Sequence, residues 1–132
     1  MQPLGGVCAV GLDRFWLAGS VATPRGEVRS ATNRDNALFI AEGVIENTSP
    51  AELAFYRQLT AELTLGEAAY ACTIVCESDG GARYDTALLP RARARLVVYA
   101  EVPRTVSGET GWALTLTAGS ESQTWTVAGQ AD

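Results

Sequence analysis

The stretch GWALTLTAGSESQTWTVAG, Gly111–Gly129, decides how this chain is read. Trp112, Leu114 and Leu116 alternate with Ala113, Thr115 and Thr117. After the polar break Gly119-Ser120-Glu121-Ser122, Trp125 and Val127 alternate with Thr124 and Thr126. A period of two over both limbs predicts a pair of half-buried strands. With the four break residues as the loop, Ala118 faces Gln123, Leu116 faces Trp125 and Leu114 faces Val127. Thr117 then meets Thr124 and Thr115 meets Thr126 on the other side. One face is aromatic and aliphatic, the other a ladder of threonines. A slip of one residue would put Trp125 in water, so the choice of faces is strongly specified.

Outward from this hairpin, the rest of the chain reads as cover for its apolar face. Val7–Leu12 and Phe15–Val21 predict two short strands around Asp13-Arg14. Pro24-Arg25-Gly26-Glu27 predicts a turn, because Pro presets φ and Gly accepts left-handed geometry. Val28–Ala31 is a short strand. Ala37–Ile45 is a longer one, with Gly43 at a bulge. Ala68–Glu77 and Ala82–Leu89 form a second hairpin around the Asp79-Gly80 turn signal. Arg95–Val102 is a further strand, stopped by Pro103. A single helix is expected over Pro50–Leu63. Ser49 caps it, Pro50 takes its first position and Glu52 completes a capping box. Leu53, Tyr56, Leu59 or Thr60, and Leu63 supply its stripe.

The predicted fold class is therefore all-β: a mainly antiparallel β-sandwich or jelly roll of roughly eight or nine short strands with one α-helix at about 50–63. A β-barrel or an α+β sheet is the alternative. The 132 residues suit one domain spanning 1–132, with 1–6 and 130–132 as flexible termini.

Composition narrows function. Fifteen acidic residues against ten basic ones leave a net charge of −5, and every basic residue is Arg. Such a chain lacks the general attraction to phosphate that drives nucleic-acid binding. No apolar run reaches the roughly 18 residues of a membrane span. No signal-peptide pattern opens the chain, so a cytoplasmic product is expected. Its three cysteines, Cys8, Cys72 and Cys76, are then reduced thiols.

The absence of His removes Ser-His-Asp and Cys-His mechanisms and His-bearing zinc sites. The absence of Lys removes Schiff-base and phosphate-loop chemistry. Asp13, Asp35, Asp79 and Asp85 do not converge by any sequence argument. Asn33-Arg34-Asp35-Asn36 is a poor cation loop because Arg34 interrupts it. Neither a catalytic residue, a cofactor nor a metal is expected. Trp16, Trp112 and Trp125 could form a sugar-stacking platform, but all three read better as core. Asn47-Thr48-Ser49 matches a glycosylation sequon, and the helix cap accounts for Ser49 instead.

The unusual run is Arg91-Ala92-Arg93-Ala94-Arg95. Extended, it places Arg91, Arg93 and Arg95 on one side, ~7 Å apart. It is either a stripe that meets carboxylates of a partner protein or an edge strand whose charges prevent pairing. These features predict a non-catalytic structural or assembly protein that forms homo-oligomers. A small bacteriophage virion component is the concrete case: a capsid cement (decoration) or tail protein that clamps neighbouring subunits. Its partners would be protein, either its own copies or a major structural subunit, with no role for nucleic acid or membrane. The alternative is a β-sandwich binding module for a glycan or small ligand.

Overall fold

The computed structural model describes residues 1–24, 26–54, 58–76, 88–106 and 111–127. Eleven strands run through these residues: β1 (Gln2–Leu4), β2 (Cys8–Ala18), β3 (Ser20–Ala22), β4 (Val28–Ser30), β5 (Asn36–Asn47), β6 (Leu59–Leu65), β7 (Ala68–Ala71), β8 (Thr73–Cys76), β9 (Arg93–Pro103), β10 (Trp112–Ala118) and β11 (Glu121–Val127). Sheet I has the order β1-β2-β5-β9-β8 and sheet II the order β11-β10-β6-β7. Every pairing is antiparallel. The two sheets share one apolar core, which makes the fold a β-sandwich.

The β10–β11 hairpin keeps the expected faces but not the expected loop. Only Gly119 and Ser120 lie outside the ladder, so Ala118 faces Glu121, Leu114 faces Trp125 and Trp112 faces Val127. The register is displaced by two residues, which leaves the face of every side chain unchanged. Gly119 has φ 63°. A positive φ at the first of two central residues is the Gly-led hairpin turn whose twist matches the strands, and it wins over a four-residue loop. Trp112, Leu114 and Leu116 are fully buried, while Thr124 and Thr126 are exposed. The threonine ladder forms with shifted partners: Thr115 Oγ1 lies 2.9 Å from Thr124 Oγ1, and Thr117 Oγ1 2.8 Å from Ser122 Oγ.

Asp13-Arg14 is not a turn. Residues 8–18 form one long strand, and Asp13 is the extra residue of a bulge between the pairs Leu12–Gly43 and Arg14–Glu42. The bulge reverses the alternation. Cys8, Val10 and Leu12 point into the sandwich before it; Phe15 and Leu17 do so after it. Gly43 sits opposite the bulge because a β-carbon there would land on the Gly11 carbonyl.

The helix expected over 50–63 does not run that length: residues 55–57 lie outside the described ones, Gln58 alone among the described residues is helical, its N donating to Ala54 O at 2.9 Å, and Leu59–Leu65 is β6. Leu59, Ala61 and Leu63 are buried, while Thr60 and Glu62 are exposed. Its pairing with β10 on one side and β7 on the other outweighs the helical spacing. The cap signature at Ser49 belongs to a turn: Ser49 N donates to Asn47 Oδ1 at 3.0 Å, and Ala51 N to Ser49 Oγ at 2.9 Å. Both motifs rest on short polar side chains binding nearby backbone. Asn47 is fully buried, and its Nδ2 donates to the carbonyls of Ala51, Leu88 and Leu89 at 2.8, 3.0 and 3.1 Å. A side chain so enclosed is no acceptor for a glycan.

The predicted strand Ala68–Glu77 breaks at Cys72, where the chain leaves sheet II for sheet I. The alternation survives the switch: Cys76 is buried, Tyr70, Cys72 and Ile74 are half-buried, and Ala71 and Thr73 are exposed. The Asp79-Gly80 turn, most of the Ala82–Leu89 limb and residues 130–132 lie outside the described residues. The first six residues, expected to be flexible, instead hold β1, with Leu4 fully buried. Gly5 and Gly6, at φ 65° and 69°, turn β1 into β2.

A second cluster lies on the outer face of sheet I. The β3–β4 hairpin lays Val21 over Leu38, Ile40 and Val97, with Trp16, Ala18, Ala31 and Tyr99 around them. This is why β5 is buried on both faces from Ala37 to Ala41. The hairpin covers only the half of the sheet near the start of β5.

Candidate interaction surface

The other half of that outer face holds the unusual arginines. Alternation along β9 buries Ala94 and Leu96 and turns Arg93 and Arg95 outward. Arg91 does not join them. Its φ is 64°, so it leaves the extended path, and its Nη1 donates to Thr48 O at 3.0 Å. The expected stripe of three is therefore a pair on β9 plus a residue that pins a neighbouring loop. β9 runs between β5 and β8, but β8 pairs only with Leu96–Tyr99, and alongside Arg93–Arg95 the partner strand among the described residues is β5.

The structure supplies a different third cation, Arg14. Register places Glu42 between strands: Arg14 Nη1 lies 3.9 Å from Glu42 Oε1, and Arg95 Nη2 lies 3.7 Å from Glu42 Oε2. Arg14 also lies over the Trp16 ring, 4.3 Å from its centroid. Arg93 points its Nη2 at Met1 Sδ, 3.8 Å away. Met1 lies against Gly11, where a β-carbon would come within 3.1 Å of Met1 Cγ. The surface thus has Val44 and Met1 at its centre, Glu42 and Glu46 on β5, and Arg14, Arg93 and Arg95 around them. Glu42 is recessed, with 29% side-chain exposure, against 63% for Arg14 and 56% for Arg95. Arg14 and Arg95 are thus the more exposed charges of a mixed cluster that also carries Glu42 and Glu46. Arg14 and Glu42 escaped the sequence reading because their contact crosses strands and depends on the bulge.

The remaining candidates are dispersed. Burial pushes the Cys8 thiol up to about 11. It pushes the Cys72 thiol up to about 12, with Glu62 adding to the shift, and the Cys76 thiol to about 12. Such thiols stay protonated at neutral pH and are poor nucleophiles. Asn33 and Asp35 build a turn, with Asp35 N donating to Asn33 Oδ1 at 2.8 Å. Glu101 secures the same loop, accepting from Asn36 Nδ2 at 2.7 Å and from Thr32 N at 3.1 Å. Those bonds hold its carboxyl below the ordinary carboxylate range, the Asn36 side chain contributing most. Asp13 is exposed in the bulge; Asp79 and Asp85 lie outside the described residues. No group of three or more metal-binding side chains occurs among the described residues.

Trp112 is buried in a row of rings with Phe39, 5.4 Å away, and Tyr70, 6.4 Å away. Trp125 is half-buried at the sheet edge. Trp16 is half-exposed, with one ring face taken by Arg14.

No known family profile matches the chain, and no curated protein matches it. Among solved structures it resembles an uncharacterized β-sandwich protein from Clostridium difficile, with a TM-score of 0.76 and 15% identity over 96% of this chain and 89% of that one. That likeness shows the β-sandwich fold. The archaellum periplasmic stator protein FlaG from Sulfolobus acidocaldarius aligns over 84% of this chain and 99% of its own, with a TM-score of 0.33 and 10% identity.

Proposed function

We propose that this β-sandwich is a non-catalytic assembly protein that works by contact with other subunits. The observation that carries this reading is the cluster of Arg14, Arg93 and Arg95 with Glu42 and Glu46 on the half of the sheet I outer face that the β3–β4 hairpin does not cover. Arginine and methionine are favoured at protein interfaces, where a fork of donors and a flexible apolar side chain adapt to a partner. The raised thiols and the absence of His and Lys support a role in contact rather than in chemistry. A small bacteriophage capsid-cement or tail component that clamps neighbouring subunits is the concrete form of the proposal. Single exposed ion pairs contribute only ~0–1 kcal/mol, so such a clamp relies on many copies acting together.

Sedimentation equilibrium tests the reading. The expected result is a homo-oligomer, or a larger assembly as concentration rises. A monomer at every concentration, with tryptophan fluorescence that shifts on addition of sugars, would favour a glycan-binding module and overturn it.

A further inference from the structure

We infer that β11 pairs antiparallel with β11 of a second copy of this chain, joining sheet II of the two across a twofold axis; this rests on the assembly reading and names one of its contacts. Backbone geometry shows where the pairing occurs. Gly119 and Ser120 form a two-residue turn, so Ala118 and Glu121 close it as a hydrogen-bonded pair. Alternation then aims the N–H and C=O groups of Gln123 and Trp125 at β10, and those of Ser122, Thr124 and Thr126 away from it. The hydroxyl contacts agree: Thr115–Thr124 and Thr117–Ser122, at 2.9 and 2.8 Å, fall on the closely spaced, non-hydrogen-bonded pairs of such a ladder. Among the described residues no backbone hydrogen bond reaches that outer edge. β1 and the turn after it meet β11 through its inner-face side chains: Gln123 Nε2 donates to Pro3 O at 3.1 Å, and Glu121 Oε1 accepts from Gly5 N at 3.0 Å.

Among the described edge strands of the two sheets, β11 is the least protected. Shortness, Pro, charge or a bulge keeps a sheet edge from pairing. β1 has three residues with Pro3 at its centre, and β7 and β8 have four each. β11 has seven, without Pro, Lys or Arg, in unbroken register with β10.

The side chains of β11 suit its own copy. With Thr124 opposite its counterpart on the axis, Ser122 faces Thr126 of the other copy and Gln123 faces Trp125. Every outward backbone group of these residues then pairs, giving roughly six hydrogen bonds. Hydroxyl meets hydroxyl on the outer face, a favourable cross-strand match. On the inner face the two half-buried Trp125 side chains become diagonal neighbours ~7–8 Å apart, within reach for rings. Glu121 is the charged residue of the strand. Its two copies stand ~20 Å apart in this register, beyond the screening length of about 10 Å, so like charges do not collide. The contact consumes the β11 edge of both chains, so it closes as a dimer.

Sedimentation equilibrium of the intact chain, from about 1 μM to 1 mM, should fit a monomer–dimer equilibrium. Thr124→Lys sets like charges against each other on the axis and leaves the backbone bonds to β10 in place. It should raise the dimer dissociation constant at least about tenfold, with an unchanged far-UV circular dichroism spectrum. Thr124→Pro removes the outward N–H and should do the same. Thr60→Lys makes the same change in net charge at an exposed position of β6 and should leave the dimer intact. Thr124→Cys should form an interchain disulfide on mild oxidation, because opposed hydrogen-bonded residues stand ~5.5 Å apart; Thr60→Cys should not. A dimer that survives both Thr124 variants and gives no Thr124→Cys cross-link overturns this inference and spares the assembly reading, since another surface then joins the copies. Equal weakening by Thr60→Lys and Thr124→Lys also overturns it. A monomer at every concentration overturns both.

Discussion

Replacing Leu114 with Ala should cost far more than replacing its neighbour Thr115, and the contrast tests the architecture directly. Leu114 is fully buried at the centre of β10, flanked by Leu63 on β6 and Trp125 on β11. Truncation to Ala removes three carbons from the core, which at about 0.8 kcal/mol each sets a floor near ~2.4 kcal/mol. The packed surroundings cannot fully collapse into the space, which brings the expected loss to about 3–4 kcal/mol. That is a large fraction of the ~5–15 kcal/mol available to a domain, and lowers the melting temperature by about 10 °C or more. Thr115 sits one residue on, facing out, its hydroxyl 2.9 Å from that of Thr124. Thr115→Ala loses an exposed hydrogen bond and should cost less than about 1 kcal/mol. Urea unfolding of both variants supplies the measurement. The register can be tested with the same protein. Leu114 and Trp125 are cross-strand partners, so a double-mutant cycle between them should give a coupling of at least ~0.5 kcal/mol, exceeding that between Leu116 and Trp125. Equal costs for the two single variants would refute the assignment of faces, and a larger Leu116–Trp125 coupling would refute the two-residue turn.

Gly43→Ala should destabilise by about 3 kcal/mol or more, because the new β-carbon meets the rigid Gly11 backbone at the bulge; Gly6→Ala, with open space around it, should cost only the ~1–2 kcal/mol of left-handed strain. Differential scanning calorimetry of the pair checks this. Asn47→Asp replaces a donor to three carbonyls with an acceptor and buries a charge, so a loss of at least about 3 kcal/mol is expected. Hydrogen exchange should show the Leu53 and Leu88 amides, which bond each other's carbonyls, losing protection first. Glu101→Gln should lower the melting temperature at neutral pH, and the difference from the parent should shrink as pH falls. The folded carboxyl is held below its ordinary value of 4.5, so its contribution is present above that value and vanishes as pH drops through the lower folded-state one. A difference that grows on acidification would show that the Thr32–Asn36 clamp depends on something other than the ionised carboxylate.

Local alternation identified β5, β9 and β10, whose inner faces supply much of the core, but not β1 or β6. Trp112, Leu114 and Leu116 are buried as their pattern requires, and the run from Tyr70 to Cys76 keeps its parity even where it changes sheets. What sequence could not settle was decided by contacts distant along the chain. Leu53, Leu59 and Leu63 fit a helical stripe, while Leu59, Ala61 and Leu63 fit a strand equally well; only the partners β7 and β10 choose between them. Ser49 and Glu52 suggested a cap because a turn closed by Asn47 uses the same side-chain chemistry. Arg93 and Arg95 were legible as a pair by spacing. Arg91 was not, because a left-handed residue breaks the extended path without leaving a Gly to mark it.

The bulge at Asp13 links the core to the surface proposed for subunit contact. Uniform alternation through residues 8–18 would carry the inward parity of Cys8, Val10 and Leu12 on to Arg14 and Trp16. A guanidinium would then enter the sandwich, while Phe15 and Leu17 faced water. The extra residue resets the parity, so Phe15 can join Phe39 inside at 6.3 Å and Arg14 can emerge beside Glu42. Gly43 is the counterpart of this arrangement, since any side chain there would displace the bulged backbone. The same backbone irregularity completes the aromatic layer of the core and brings the third arginine to the open face. The surface proposed for subunit contact is therefore not a decoration added to a finished fold. Arg14 points outward only because the core needs Phe15 and Leu17 within, and a change that straightens β2 must disturb both at once.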